Sequence, residues 1–477
     1  PSRISQLAIM RGRLSEVTGE RVDLDQAVTA ARNAVKATAA TSTRRCGRLA
    51  NLADRLVDRY EVSKNRQDLE EAVATLRTSI NLAATTSTDD QTGQEHGHRC
   101  DAFVALLTEL YQLTGQRQLL VESVDAARAA VDATHDESPL LAGRLDTLRD
   151  RLAVQAERQR DRRVLDDALS IARLAIAATP PDDNERTNRL NRLADLLADP
   201  AFEPGPAALR EAADVARWAV RVSADEAGSD DQLERLAELL AMAYSSLVEP
   251  EFLDEAIEAA TTAAAQTSAR SRSLARRQHL LASLLSRKLA AITGPAAARA
   301  GAANDGGTID FDDEQGRQQR WLLAQALDAA RTAVETTRAD EPGRASHLSL
   351  LADLLQVKHQ LEDDSTALAR AVDTARQAVE GTGPDHPELA TRLASLSRAL
   401  SALHDLTGNR ADLLEAIAVA RDAVAADSVD DPDYSDRLTL LAGHLVHLNA
   451  LSGDNAPLTE AAELSRRAVA QTAALTG

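Results

Sequence analysis

Asp68-Leu69-Glu70-Glu71-Ala72-Val73-Ala74-Thr75-Leu76-Arg77-Thr78-Ser79-Ile80 is the stretch that decides the fold. It returns, degraded but legible, along the whole chain. Its first alanine-class position falls at Ala27, Ala72, Ser123, Ala168, Ala212, Ala256, Ala326, Ala371, Ala416 and Ala461. The steps between them are 45, 51, 45, 44, 44, 70, 45, 45 and 45 residues. A period held this well is the signature of stacked repeats, in which a unit too small to bury its apolar face alone leans on its neighbours.

Each unit reads as two helices. Helix A carries Leu-x-x-Leu-Ala-x-x-Leu, clearest at Leu49, Leu52, Ala53 and Leu56, at Leu190, Leu193, Ala194 and Leu197, at Leu348, Leu351, Ala352 and Leu355, and at Leu438, Leu441, Ala442 and Leu445. Spacings of three and four put these residues on one helical face. Helix B carries Ala-x-x-x-Ala-Arg-x-Ala-Val, as at Ala27, Ala31, Arg32, Ala34 and Val35. Thr18-Gly19, Thr114-Gly115, Thr407-Gly408 and Ser452-Gly453 read as the turn between them, a glycine just past a helix being the expected stop. Asp23, Asp68 and Asp412 read as N-caps of helix B. Polar stretches such as 87–91, 180–184 and Asp430-Asp431-Pro432-Asp433 separate the units. The 51-residue step predicts a longer loop around Gln91 to His98. The 70-residue step predicts a flexible surface insertion at 294–316, small-residue-rich and then acidic.

The expected fold is therefore all-α: an α-solenoid, a right-handed superhelix of about ten helix-turn-helix units. These fall near 3–40, 44–86, 98–135, 138–180, 184–224, 230–268, 272–338, 343–383, 387–427 and 433–474, one array over 1–477. With aromatics at only 2%, its core must be built from Ala, Leu and Val, which suits close helix packing rather than a β-sandwich. A net charge of −20 argues against nucleic-acid binding, which rests on neutralising phosphates, and against docking on an anionic membrane. Two cysteines, Cys46 and Cys100, are too few for a disulfide framework and suit a reducing cytoplasm. No apolar run is long enough to span a bilayer. A start at Pro1 without Met reads as a fragment or processed product.

The paired-helix pattern resembles the tetratricopeptide repeat. Ala53, Ala72, Leu76 and Ser79 stand at the family's small and packing positions, and Pro180, five residues after Ala175, matches its closing proline. The units here exceed the family's usual length of about 34 residues. Asp-Leu-Glu-Glu-Ala together with Arg59-Tyr60-Glu61 is similar to the long-unit arrays of actinobacteria and fungi. Those arrays often precede a caspase-like CHAT peptidase domain or follow a nucleotide-switch domain. The resemblance implies a non-enzymatic protein-interaction scaffold, the sensor or regulatory arm of a larger protein. It leaves open a regulatory region of a CHAT-type peptidase whose catalytic domain lies outside this chain, and a self-assembling solenoid.

By the same resemblance helix A lines the concave groove, and the residue after its small position faces the partner: Asp54, Asp195, Glu238, Asp353 and Arg398. A mostly acidic groove implies a basic protein or peptide partner. No phosphate-binding glycine motif is present, and no catalytic group, metal or cofactor is expected. Glu95, His96, His98 and Cys100 have alternate spacing that a loop could turn toward a metal, but Arg45-Cys46 and Arg99-Cys100 occupy similar places in successive units, so repeat descent with a small buried thiol accounts for both cysteines. His404, His444 and His447 read as packing or solvated histidines. A recurring helix-B arginine (Arg32, Arg77, Arg128, Arg173, Arg217, Arg331, Arg376, Arg421, Arg466), with Asp125, Asp214, Asp328, Asp373 or Glu463 three residues before it, reads as an ion-pair ladder. Basic runs at 158–163, Arg276-Arg277 and Arg287-Lys288 read as solvated surface.

Overall fold

The computed structural model describes residues 2–18, 21–40, 42, 44–84, 90–223, 228–302, 314–428, 431, 433–453 and 455–476. Among them are twenty α-helices and no strand. They fall into two compact bodies, Pro1–Ala224 and Asp225–Gly477, each an all-α solenoid of five stacked pairs.

In the first body the pairs are α1 (Ser2–Thr18) with α2 (Arg21–Lys36), α3 (Arg45–Ser63) with α4 (Arg66–Ala84), and α5 (Asp90–Thr114) with α6 (Arg117–Asp132). Then come α7 (Leu141–Gln159) with α8 (Arg162–Ala177), and α9 (Glu185–Leu197) with α10 (Pro206–Val222). In the second they are α11 (Ser229–Leu247) with α12 (Pro250–Gln266), and α13 (Ser273–Ala302) with α14 (Glu314–Thr336). The series closes with α15 (Arg344–Glu362) and α16 (Ser365–Glu380), α17 (Leu389–Thr407) and α18 (Arg410–Ala425), and α19 (Tyr434–Ser452) and α20 (Asn455–Thr476). Within each body every helix packs on the next, and successive A helices also touch, as in α13–α15–α17–α19.

The buried set is the repeated one. Leu49, Leu52, Ala53 and Leu56 are buried on α3, and Leu438, Leu441, Ala442 and Leu445 on α19. Ala27, Ala72, Ala168, Ala212, Ala256, Ala326, Ala371 and Ala416 have no exposed surface, because a helix backbone crosses there and a methyl group is all that fits. Ser79 is equally buried and donates to the Cys46 carbonyl at 2.9 Å, tying α4 to α3.

Turn chemistry follows the glycines and then departs from them. Gly115, Gly408 and Gly453 take φ of +66°, +69° and +70° as left-handed stops. Four other units place Lys64, Arg160, Val248 and Asp363 in the same conformation. Thr18-Gly19 lies partly outside the described residues. The N-cap assignments are corrected. Asp23, Asp68 and Asp412 stand in the first turn of their helices. The caps lie earlier: Asn65 accepts from the Gln67 amide and Asn409 from that of Ala411, as Asp161 and Asp364 do in their own units. Asp68 instead holds Arg59 at 2.6 Å.

The loop expected around 91–98 is helix: the extra residues lengthen α5, which runs unbroken from Asp90. Gly97 lies within it because the Arg144 guanidinium occupies the space of its missing side chain; a Cβ there would sit 2.5 Å from the Nη1 atom. Of the 294–316 insertion expected as a surface loop, 303–313 lie outside the described residues; 294–302 continue α13 and 314–316 open α14.

One buried device recurs at the seam from helix B to the next helix A. A Thr hydroxyl at the end of helix B caps its own helix and meets a residue ten positions later. Arg48 reaches Thr38, Arg144 reaches Thr134 at 2.6 Å, Arg189 reaches Thr179 at 2.9 Å, Arg277 reaches Thr267 and Arg392 reaches Thr382. His347 with Thr337 and Arg437 with Asp427 are variants of the same clamp. Arg144, Arg189, Arg277, Arg392 and Arg437 are all buried.

Candidate functional site

The A helices carry the five positions expected to meet a partner, two in the first body and three in the second. Asp54 follows Ala53 on α3 and lines a cleft of about 360 Å³ with Arg55, Asp58, Ala102 and Leu106. The residue is exposed as a whole, yet desolvation within the cleft raises its pKa above the usual value, with nearby Arg55 opposing. Glu238, exposed on α11, is raised in the same way, first by desolvation and then by Glu234. Asp353 on α15 is half-buried and accepts from the Ser395 hydroxyl of α17. Burial raises it, opposed by that bond and by Arg398. Arg398 lines a second cleft, of about 200 Å³, with Thr391, Asp433, Asp436 and Arg437. Asp195 lies exposed on α9 and is already engaged by neighbouring groups. Asp353 and Arg398 thus meet at one seam of the second body, while Asp54 holds a separate cleft in the first.

The face is less uniformly acidic than its sequence suggests. Carboxylates on one helix A are matched by arginines on the next: Asp101 with Arg144 at 2.8 Å, Asp146 with Arg189 at 2.7 Å, Asp150 with Arg192 at 3.1 Å and Glu234 with Arg276 at 2.7 Å. The signal for these pairs is present in the sequence as a 42- or 43-residue separation, one unit less a turn of offset. On α7 the small position itself is Arg149, buried between Asp146 and Asp150.

The helix-B arginines form a ladder, but its rungs differ from those expected. Arg32 bonds Glu71, Arg77 bonds Glu122, Arg173 bonds Glu211, Arg376 bonds Glu415 and Arg421 bonds Glu460, at 2.5–2.9 Å. Arg128 meets Asp167 at 3.4 Å. The acid in each case directly precedes the next unit's alanine-class position. Arg217 with Asp214 and, at 3.8 Å, Arg376 with Asp373 use the acid three residues back. Residues of the basic runs also serve neighbours: Arg162 donates to the Phe202 carbonyl, Arg277 joins Asp230, Asp231 and Glu234, and Lys288 pairs with Asp254.

Cys46 and Cys100 are both buried and free. Cys100 lies within α5, ten residues past its start. Burial and then Asp101 push its thiol up to about 11, so it holds its proton at neutral pH. His96 is 3.7 Å from its sulfur on the next turn of the same helix, while His98 points to Asp101 at 3.9 Å. The cluster is split across one helix and converges on no common point. Ser397 lies 2.9 Å from His444 Nε2, which has the look of a nucleophile and base. Ser397 has no exposed surface, however, and donates its proton to the Ala416 carbonyl. The pair is a packing contact.

No protein-family model matches this chain, and no curated protein matches it. Solved structures do. A Podosopora anserina putative kinesin light chain with nearly identical TPR-like repeats is 18% identical, covering 57% of this chain and 98% of its own, with a TM-score of 0.30. A human IFIT1 dimer with m7Gppp-AAAA is 13% identical over 97% and 89% of the two chains, TM-score 0.38. A chain of the APC/C hetero-tetramer Cut9–Hcn1 is 14% identical over 98% and 93%, TM-score 0.31. At these scores the fold rests on the helices themselves and not on the likeness.

Proposed function

We propose that this chain is a non-enzymatic protein-interaction scaffold of tetratricopeptide type, the sensor or regulatory arm of a larger protein, which holds a basic peptide or protein segment along its helix-A face. The observation that carries the reading is the cleft at Asp54. It is an apolar-walled slot between successive A helices, with a partly desolvated carboxylate at its mouth. A Lys or Arg side chain from a partner could bury its stem against Ala102 and Leu106 and bring its charge to Asp54. Glu238 on α11 and Asp353 on α15 are raised by the same cause. A carboxylate short of water gains more from an incoming cation than a fully hydrated one.

The test is selection from a random peptide library on the full chain, followed by fluorescence anisotropy of the enriched peptides. Enriched sequences should be rich in Lys and Arg, bind less tightly as salt rises, and lose at least tenfold in affinity with Asp54→Arg or Asp353→Arg. Enriched peptides without positive charge, or affinities unchanged in both variants, would remove the helix-A face from the account.

A further inference from the structure

His404, Asp405 and His447 place one ligand atom each within 4.8 Å of one another at the seam between α17 and α19. The two imidazoles meet edge to face with centroids 5.1 Å apart, and His447 Nδ1 is 3.6 Å from an Asp405 oxygen. His404 is buried, and its Nδ1 lies 2.8 Å from the Asn409 carbonyl. A carbonyl can only accept, so Nδ1 carries the proton, and in the neutral ring the lone pair is then on the other nitrogen. A backbone carbonyl that fixes a histidine's tautomer and ring plane in this way is the usual outer support of an imidazole that binds a metal.

The repeat supplies an internal comparison. One unit earlier His359 makes the corresponding contact, Nδ1 to the Asp364 carbonyl at 3.3 Å. The ring–carbonyl bond is therefore part of the architecture. What is particular to the later seam is the addition of a carboxylate and a second imidazole. The positions matching Asp405 and His447 one unit back are Gln360 and Ala402, which offer neither.

We infer that His404, Asp405 and His447 form a binding site for a divalent transition-metal ion of zinc type. Two imidazoles and one carboxylate suit zinc, cobalt or nickel, and leave further coordination positions for water or a partner's side chain. Two ligands at bonds of about 2.0–2.1 Å in a tetrahedral shell lie roughly 3.4 Å apart, so the set closes by about an ångström when the ion enters. The buried His404 stays in place. The closure falls to His447 and Asp405, whose side chains are 36% and 59% exposed and have room to turn. The ion would then bridge α17 to α19.

The experiment is calorimetric titration of the full metal-stripped chain with zinc chloride, alongside Co²⁺ absorption spectra. His447→Ala, at a half-buried position, and Asp405→Asn, at an exposed one, are the test variants, and His359→Ala is the control. The expected result is saturable one-to-one binding that weakens at least tenfold in both test variants and is unchanged in the control. A Co²⁺ visible band of low coordination number should vanish with it. Absence of saturable binding, or binding that survives in either test variant, overturns the site. Circular dichroism at 222 nm confirms that each variant keeps its helices, so loss of binding is not loss of fold.

Discussion

Removing a single hydroxyl at the α8–α9 seam should loosen that seam more than removing a whole exposed ion pair beside it. Thr179 is buried, donates to the Ala175 carbonyl at 2.6 Å and accepts from Arg189 at 2.9 Å. Thr179→Val keeps the shape and leaves a buried guanidinium N–H without its acceptor. A hydrogen bond to a charged group contributes about 1.5–3 kcal/mol, and the orphaned donor makes the loss hard to recover. Arg189→Met removes the charge instead; Asp146, which Arg189 also holds, keeps its bond to Arg149. The double variant should therefore lose less than the sum of the two singles, with a coupling of about 1.5–3 kcal/mol. The ladder pair Arg173–Glu211 has side chains 45% and 40% exposed, and screening by water should hold the same cycle there to about 0.2–1 kcal/mol. Stacked repeats open locally rather than all at once, so the readout is native-state hydrogen exchange of the α8 and α9 amides. A coupling below about 0.5 kcal/mol at Thr179–Arg189, or one no larger than that of the ladder pair, would falsify the claim that the clamp holds the seam.

Four further outcomes are expected. Val248 is β-branched, 69% exposed and held at φ 55°, so Val248→Gly should stabilise the second body by roughly 1 kcal/mol, the left-handed strain relieved outweighing the glycine's extra unfolded-state entropy; an unchanged or lower melting temperature would count against it. His279 and His347 stack at 4.8 Å. Burial, and then the other ring, holds His279 down to about 4, and burial lowers His347 too. The unfolded chain therefore binds more protons below about pH 6.5, so stability should fall from there toward pH 4, and His279→Gln should flatten that part of the melting-temperature curve. Thiol labelling at pH 8 should leave Cys46 and Cys100 unreacted in the native chain and reach both in guanidinium, since both are buried; fast native labelling of Cys100 would contradict its raised pKa. Excising residues 344–388, the 45 positions of one period, should leave a cooperative helical array by circular dichroism, whereas excising α15 alone should not; equal melting of the two would mean the register is wrong.

The period and the two helix faces are legible in the sequence because burial repeats with the helix: Leu52, Ala53 and Leu56 return in several units, and the buried helix-B position is Ala or Ser in every unit. Caps and breakers are less so. Asp68 follows the Asn65 that caps its helix and passes for it, because both residue types suit that place and only the backbone geometry separates them. Gly93 and Gly97 read as loop, but Gly97 is a hole for Arg144, and a hole looks like a break when its occupant lies 47 residues away. At the candidate site, the positions of Asp54 and Asp353 are legible and their environments are not: desolvation depends on the walls that neighbouring units supply. The His404–Asp405–His447 group reads as packing because its members belong to two units, and the sequence shows spacing but not approach.

The ladder has an implication for how such a chain can grow. An arginine on helix B reaches for an acid that the following unit carries just before its alanine-class position, as Arg376 reaches Glu415 and Arg421 reaches Glu460. A duplicated segment of one period arrives with an arginine for its successor and an acid for its predecessor, so both new joints close without any other change. Across the long step and at the joint after it this reciprocity lapses: Thr261 stands where the arginine should be, with Gln325 in the acid's place, and Arg331 has Arg370 as its counterpart. Length can be added or removed at little cost where the rungs are intact, and at those two joints a new unit would bring no such rung with it.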